Sequence, residues 1–287
     1  MMKRYGLLVA LLLALLALFG TARADGREIH YGNMQVVNCN EWVSLREVPG
    51  SGGKRLAKVP LGAVVTEAEW VPLYDQYVYC RFGGQWGYVL SKYLRPEEEG
   101  GFKVVLDESR DGLEIVAVRA YEDEKELLRV YCVNEKGQLY WEYRTARVPV
   151  TELDCTAAFI GGTAQEPRVM VYSTEEGLTA LGFDTGKAFW TLTPQEVRLG
   201  ASLSCALAED GTMYIGGYYG PDPVAVSVDG EVLWQADCGG DDIYWLYEIE
   251  LRGEEIAAHY DAFPGSSAGG WVIYGANGET LRYVKQS

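Results

Sequence analysis

The chain has 287 residues, 48% of them hydrophobic and 23% charged, a globular composition with room for one large or two ordinary domains. Its formal charge is −16, with 41 acidic and 25 basic side chains, which sets the surface against nucleic acid and anionic lipid and excludes both as primary partners. Thirty-four Gly and twenty Tyr, with few long helical patterns, point to an all-β protein.

Residues 1–24 differ from the rest. Lys3 and Arg4 give a basic start, Leu7 to Phe19 an uncharged apolar run, and Ala22-Arg23-Ala24 a small-x-small cleavage site. The run falls short of the roughly 20 residues a spanning helix needs, so this reads as a secretory signal peptide, with no membrane insertion after its removal. An uncleaved anchor is the alternative. No Cys closely follows the apolar run, which argues against a lipid-anchored lipoprotein. Cleavage removes Lys3, Arg4 and Arg23 and no acid, moving the charge to −19. Residues 25–34 are polar and without period, a flexible lead.

From residue 35 to 95, short alternating runs separated by turn signals predict five or six strands, enough for a small barrel. Gly50 to Lys54 is glycine-rich and ends in Lys, yet Val48 and Arg55 stand where a phosphate loop needs Gly and Ser or Thr, so it is a turn. Trp42, Trp70, Tyr74, Tyr77, Trp86 and Tyr88 are many aromatics for so small a unit. At least half belong in its core, and the remainder could line a shallow groove.

The landmarks of this segment are Val43-Ser44-Leu45-Arg46 with Pro49, Val59-Pro60-Leu61-Gly62, and Gly84-Gln85-Trp86-Gly87-Tyr88-Val89 with Tyr93-Leu94. In these it resembles a bacterial SH3-like domain. The resemblance implies a groove for cell-wall peptides or other ligands, for which Trp42, Trp70, Tyr74, Trp86 and Tyr88 are the candidate lining residues. A Cys39–Cys80 disulfide is expected, because one cross-link stabilises a small exported barrel by about 2 to 4 kcal/mol; two buried thiols are the alternative. Residues 96–101, Pro-Glu-Glu-Glu-Gly-Gly, then break the pattern as a hydrophilic linker.

Between 102 and 287 the runs group in fours, giving sixteen strands. A hairpin phrase recurs with turn glycines Gly137, Gly186, Gly230 and Gly278, spaced 49, 44 and 48 residues apart. A period in the forties marks propeller blades or solenoid units. Gly177, Ala180-Leu181, Asp184, Thr185-Gly186-Lys187 and Trp190 resemble the pyrroloquinoline-quinone-like propeller repeat. That resemblance implies that Trp141, Trp190 and Trp234 dock between adjacent blades as packing anchors, with Tyr283 or Arg282 a weaker substitute in the last unit. It brings no cofactor, since no axial polar ring or calcium set matches, and Asp241-Asp242 reads as a solvated acidic loop. Four repeats are fewer than the seven or eight usual there. They are expected to close as a small funnel, to stay an open arc, or to complete one ring as a homodimer, in that order.

Cys155 and Cys205 are placed at equivalent points on the first strands of the second and third units, and Cys132 and Cys238 elsewhere. All four are expected as buried small residues. With no C-x-x-C and only His30 and His259 as imidazoles, no metal site is expected. His259 either faces Asp261 or packs on its strand. No nucleophile elbow and no distinguished carboxylate pair appear, so the expectation is a secreted or wall-associated, non-catalytic binding protein of a Gram-positive type of bacterium. Its partner would be a cell-wall peptide or envelope protein. The alternative is an extracellular enzyme or sensor with a carbohydrate or peptide site on the propeller face.

Overall fold

The computed structural model describes residues 32–285 apart from 75, 152, 219–222, 237–244 and 262–268. The signal segment, residues 25–31 of the lead, His30, Cys238 and Asp241-Asp242 lie outside the described residues. The protein is all-β. Among the described residues no helix is long and apolar enough to cross a membrane.

Seven strands form an N-terminal antiparallel sheet: β1 (Gly32–Val36), β2 (Trp42–Arg46), β3 (Arg55–Pro60), β4 (Val64–Trp70), β5 (Tyr77–Phe82), β6 (Gln85–Leu90) and β7 (Leu94–Pro96), in the order β3-β2-β6-β5-β4-β1-β7. Strict alternation writes its two faces. In β2 Val43 and Leu45 are buried while Trp42, Ser44 and Arg46 face out, and in β5 Val78, Cys80 and Phe82 are buried while Tyr77, Tyr79 and Arg81 face out. Strand β1 takes in residues 32–34 of the expected lead. The expected linker is structured as well: Pro96 ends β7, and the Glu97 carboxylate accepts bonds from Asn33 Nδ2 (2.8 Å) and the Val104 amide (3.1 Å).

Four antiparallel four-stranded meanders follow. Sheet I holds β8 (Phe102–Arg110), β9 (Leu113–Glu122), β10 (Lys125–Asn134) and β11 (Leu139–Arg144), with the short β12 (Val148–Pro149) also on β10. Sheet II holds β13 (Thr156–Gly162), β14 (Pro167–Ser173), β15 (Gly177–Gly182) and β16 (Ala188–Leu192). One helical turn, α1 (Pro194–Val197), leaves it through a capping box in which the Thr193 and Glu196 side chains each bond the other's backbone amide. Sheet III holds β17 (Ala201–Leu207), β18 (Met213–Tyr218), β19 (Val224–Val226) and β20 (Val232–Gln235), and sheet IV holds β21 (Leu246–Arg252), β22 (Glu255–Tyr260), β23 (Gly270–Tyr274) and β24 (Thr280–Lys285).

The core shows how these layers stack. Val116, Val118, Tyr131 and Val133 of sheet I join the N-terminal core, while Ile115, Ala117, Val130 and Cys132, on the opposite face, pack on Val169, Val171 and Leu181 of sheet II. Further clusters join II to III through Met170, Tyr172, Met213 and Ile215, and III to IV through Tyr214, Trp234, Leu246 and Tyr274. Both faces of sheet I are thus occupied, by the N-terminal sheet and by sheet II. Among the described residues no core cluster joins sheet IV to sheet I, so the four units form an open series and not the closed funnel expected first, with the N-terminal sheet covering the face of sheet I that is turned away from sheet II.

This junction is polar as well as apolar. The Tyr131 hydroxyl accepts from the Val64 amide (2.9 Å) and donates to the Val64 carbonyl (3.3 Å), and Arg129 Nη1 donates to Leu61 O (2.7 Å) while its fork holds Glu142. Arg81 of β5 meets Glu67 (2.8 Å), Asp107 (3.6 Å) and the buried Glu114 (3.0 Å). Burial raises the Glu114 carboxyl above its usual range against the pull of Arg81. Stability linked to such a group is complete below the unfolded value of roughly 4.3 and is lost as pH rises through the folded one. Glu114→Gln is expected to melt a few degrees above the parent at pH 7 and to lose that advantage near pH 4. Thermal melts at the two pH values check this, and a lower melting temperature at pH 7 would show that the ion pair outweighs burial.

Candidate functional site

The outward residues of the N-terminal sheet make its candidate site. Register sets Arg46 of β2 opposite Tyr88 of β6, and Tyr79 of β5 opposite Tyr88 with Arg81 opposite Trp86. The rings of Tyr79 and Trp86 stack with centroids 5.4 Å apart, Tyr79 meets Tyr88 at 4.9 Å, and Tyr74 stands edge-on to Tyr88 at 6.2 Å. Tyr74 is 47% and Trp86 42% exposed, so this is a surface group and not a core.

Beside it, Trp42, Ser44, Arg46, Tyr77, Leu90 and Tyr93 line a concavity of about 600 Å³. Trp42 lines this concavity and has no ring contact with the aromatic group; its ring instead carries Arg55 (5.0 Å) and Lys58 (4.5 Å). Of the five residues expected in one groove, Tyr74, Trp86 and Tyr88 are brought together. Trp42 stands on β2, and Trp70 ends β4 with its backbone paired to Val78. Tyr79, Arg46 and Tyr93 were missed, although the alternation of Tyr77-Val78-Tyr79-Cys80 already sets Tyr79 on the outer face.

The thiols differ from expectation. All five described cysteines are free: Cys80 points into the core opposite Gly87, whereas Cys39 sits in the loop before β2, so the expected Cys39–Cys80 bridge is not formed. Cys155 precedes β13, whereas Cys205 lies within β17, so the two are not at equivalent points. Cys132 is buried as expected whereas Cys205 is only half-buried, and desolvation pushes both thiols up to about 12.

The anchor tryptophans occupy one register position. Trp141 pairs with Cys132, Trp190 with Ala180 and Trp234 with Ala225, each beside a bulge. Each indole lies over the turn glycine of the following unit, where a built Cβ on Gly186, Gly230 or Gly278 would come within 2.5 to 2.6 Å of the ring. Each indole N–H also donates to a carbonyl of that turn: Phe183 (3.1 Å), Val228 (2.9 Å) and Ala276 (2.8 Å). In sheet I the equivalent Gly137 meets Ala57 and Phe82 of the N-terminal sheet, which therefore stands in for a preceding repeat. In sheet IV the position opposite Ile273 is Arg282, whose guanidinium holds Glu255 by two bonds of 2.6 Å. Three docking indoles thus give way to an ion pair at the outer end, a polar termination of the series.

A second aromatic group, not foreseen, lies where sheets III and IV meet. Tyr218 contacts Trp245 (5.5 Å) and Tyr247 (5.2 Å), and the His259 ring lies 5.9 Å from Tyr247 and 4.8 Å from Trp271. His259 packs on its strand, its buried Nε2 has no hydrogen-bond partner among the described residues, and Asp261 accepts instead from the Trp245 amide (3.0 Å). Among the described residues no cluster of three or more His, Cys, Asp and Glu is arranged to hold a metal ion.

No family model matches the chain, and no curated protein matches it. Among solved structures it is similar to a protein of unknown function from Bacteroides caccae, with 11% identity over 90% of this chain and 94% of that one and a TM-score of 0.40. It is similar to BamB from Moraxella catarrhalis, with 10% identity over 87% and 72% and a TM-score of 0.36. A glycosyl hydrolase from Bacteroides ovatus gives 12% identity over 64% and 68% and a TM-score of 0.30. These values carry no argument about activity.

Proposed function

We propose that the protein is an exported, non-catalytic binding protein of the bacterial envelope. Its SH3-like N-terminal sheet engages a cell-wall peptide, and sheets I to IV serve as a platform for an envelope protein. The observation that carries this reading is the outer face of the N-terminal sheet, where four aromatic rings in mutual contact border a concavity containing Arg46. Such a face offers flat apolar area, with one guanidinium to fix a carboxylate or carbonyl of the peptide. None of the four rings belongs to the buried core, and Tyr74 and Trp86 are exposed, so they are free to meet a ligand.

Trp86→Ala in the full mature chain is expected to reduce retention on purified peptidoglycan roughly tenfold while leaving the melting temperature within a few degrees of the parent. A pull-down with a parallel melt reads both. Unchanged retention would remove this face from the site. Release of soluble wall fragments during the same incubation would favour the second reading, an enzyme or sensor acting on a carbohydrate. That reading draws on the Tyr218, Trp245, Tyr247 and Trp271 rings, which offer stacking surface of the kind sugars use.

A further inference from the structure

A second cleft lies where the β3 edge of the N-terminal sheet meets the first hairpin of sheet I. It encloses about 780 Å³, and its charged lining is Lys54, Arg55, Lys58 and Lys136 against the single acid Glu41. In a chain with 41 acids and 25 bases, four clustered cations go against the overall balance. Arg81, Arg129, Arg147 and Arg282 each meet a carboxylate, but among the described residues none of these four does. Four exposed cations thus share one cleft, where a multiply charged anion would relieve their mutual repulsion.

The cleft is also built. Trp42 carries Arg55 and Lys58 over its ring, which holds two of the cations in place. The two walls are locked together, since Gln85 Nε2 donates to Glu135 O (2.6 Å) and Gly137, at φ +66°, sits so close to Ala57 that an added Cβ would lie 2.6 Å from its methyl. Lys136 is thereby set opposite the lysines of the other part. Neither part alone makes the site.

We propose that this cleft binds a short phosphate-bearing ligand with two or more anionic groups. Three of the four cations are ammonium point charges, which can meet tetrahedral phosphate oxygens from several sides, and Arg55 adds a guanidinium fork that can bond two oxygens of one phosphate. The negative surface elsewhere holds long anionic polymers and anionic membranes away, so the ligand is one small enough to enter the cleft. The site is separate from the aromatic face, although Trp42 lines both this cleft and the concavity beside that face.

Tripolyphosphate titrated into the full chain at about 50 mM salt, followed by calorimetry, tests this. One molecule is expected to bind, and Lys58→Glu and Lys136→Glu are each expected to weaken it at least tenfold, while Lys187→Glu in the exposed turn of sheet II leaves it unchanged. Vesicles of phosphatidylglycerol are expected not to retain the protein. Absence of tripolyphosphate binding, equal weakening by Lys187→Glu, or retention on the vesicles that survives both cleft substitutions would each overturn the proposal. Circular dichroism of these surface variants confirms that folding is not the cause.

Discussion

Trp190→Ala is expected to destabilise the protein by about 3 kcal/mol or more, read as a shift in a urea or thermal unfolding curve. The indole lies between two sheets: its ring covers Gly230 and its N–H donates to Val228 O, so truncation removes apolar contact and leaves a carbonyl without its donor. Trp141→Ala and Trp234→Ala act at the two equivalent seams and should have similar effects. Arg282→Ala, at the same register position of the last unit, should change the melting temperature little, because that side chain meets Glu255 at the surface and supports no further sheet. Peptidoglycan retention should be unaffected in all four variants under conditions where they are folded. A Trp190→Ala protein that melts with the parent but loses binding would move this residue from packing to recognition.

The second large effect is expected from cutting the chain near residue 100. The sequence suggests two independent units there, but the structure joins them by a continuous core and by the Tyr131–Val64 and Arg129–Leu61 bonds. Residues 25–100 alone would lack Val116, Val118, Tyr131 and Val133, which share one core with Val36, Val64 and Phe82. This fragment is expected to show no cooperative thermal transition, whereas the whole chain melts in one. Tyr131→Phe offers a milder probe: the buried Val64 amide loses its acceptor, at a cost of about 1 to 3 kcal/mol. A fragment that melts cooperatively would show that the junction is docking between two separately stable units.

The different fates of the cysteines and the aromatics show how far local pattern reaches. Alternation along β2, β5 and β6 tells which residues share a face, and that was enough to single out Trp86 and Tyr88. It does not tell that the ring of Trp42, on the same face, carries Arg55 and Lys58, because that depends on the register of β3 against β2. Cys39 and Cys80 looked like a pair on neighbouring runs, yet pairing requires matched direction as well as proximity, and one points into the core while the other sits in a loop. The basic cleft has no sequence signature at all, since Lys58 and Lys136 lie 78 residues apart.

The sequence by itself determined the all-β class, the four hairpin units and the three tryptophans at their ends, because strand alternation and turn glycines are local properties that every repeat states again. Only the tertiary structure decided that the units form a series capped by the N-terminal sheet and ended by Arg282. That order depends on which sheet face meets which, and face-to-face contact is set by the shape and volume of side chains far apart in the chain. The same long-range packing that places Phe82 against Gly137 also brings four cations to one cleft, so the second candidate site is a product of the fold and not of any single stretch of residues.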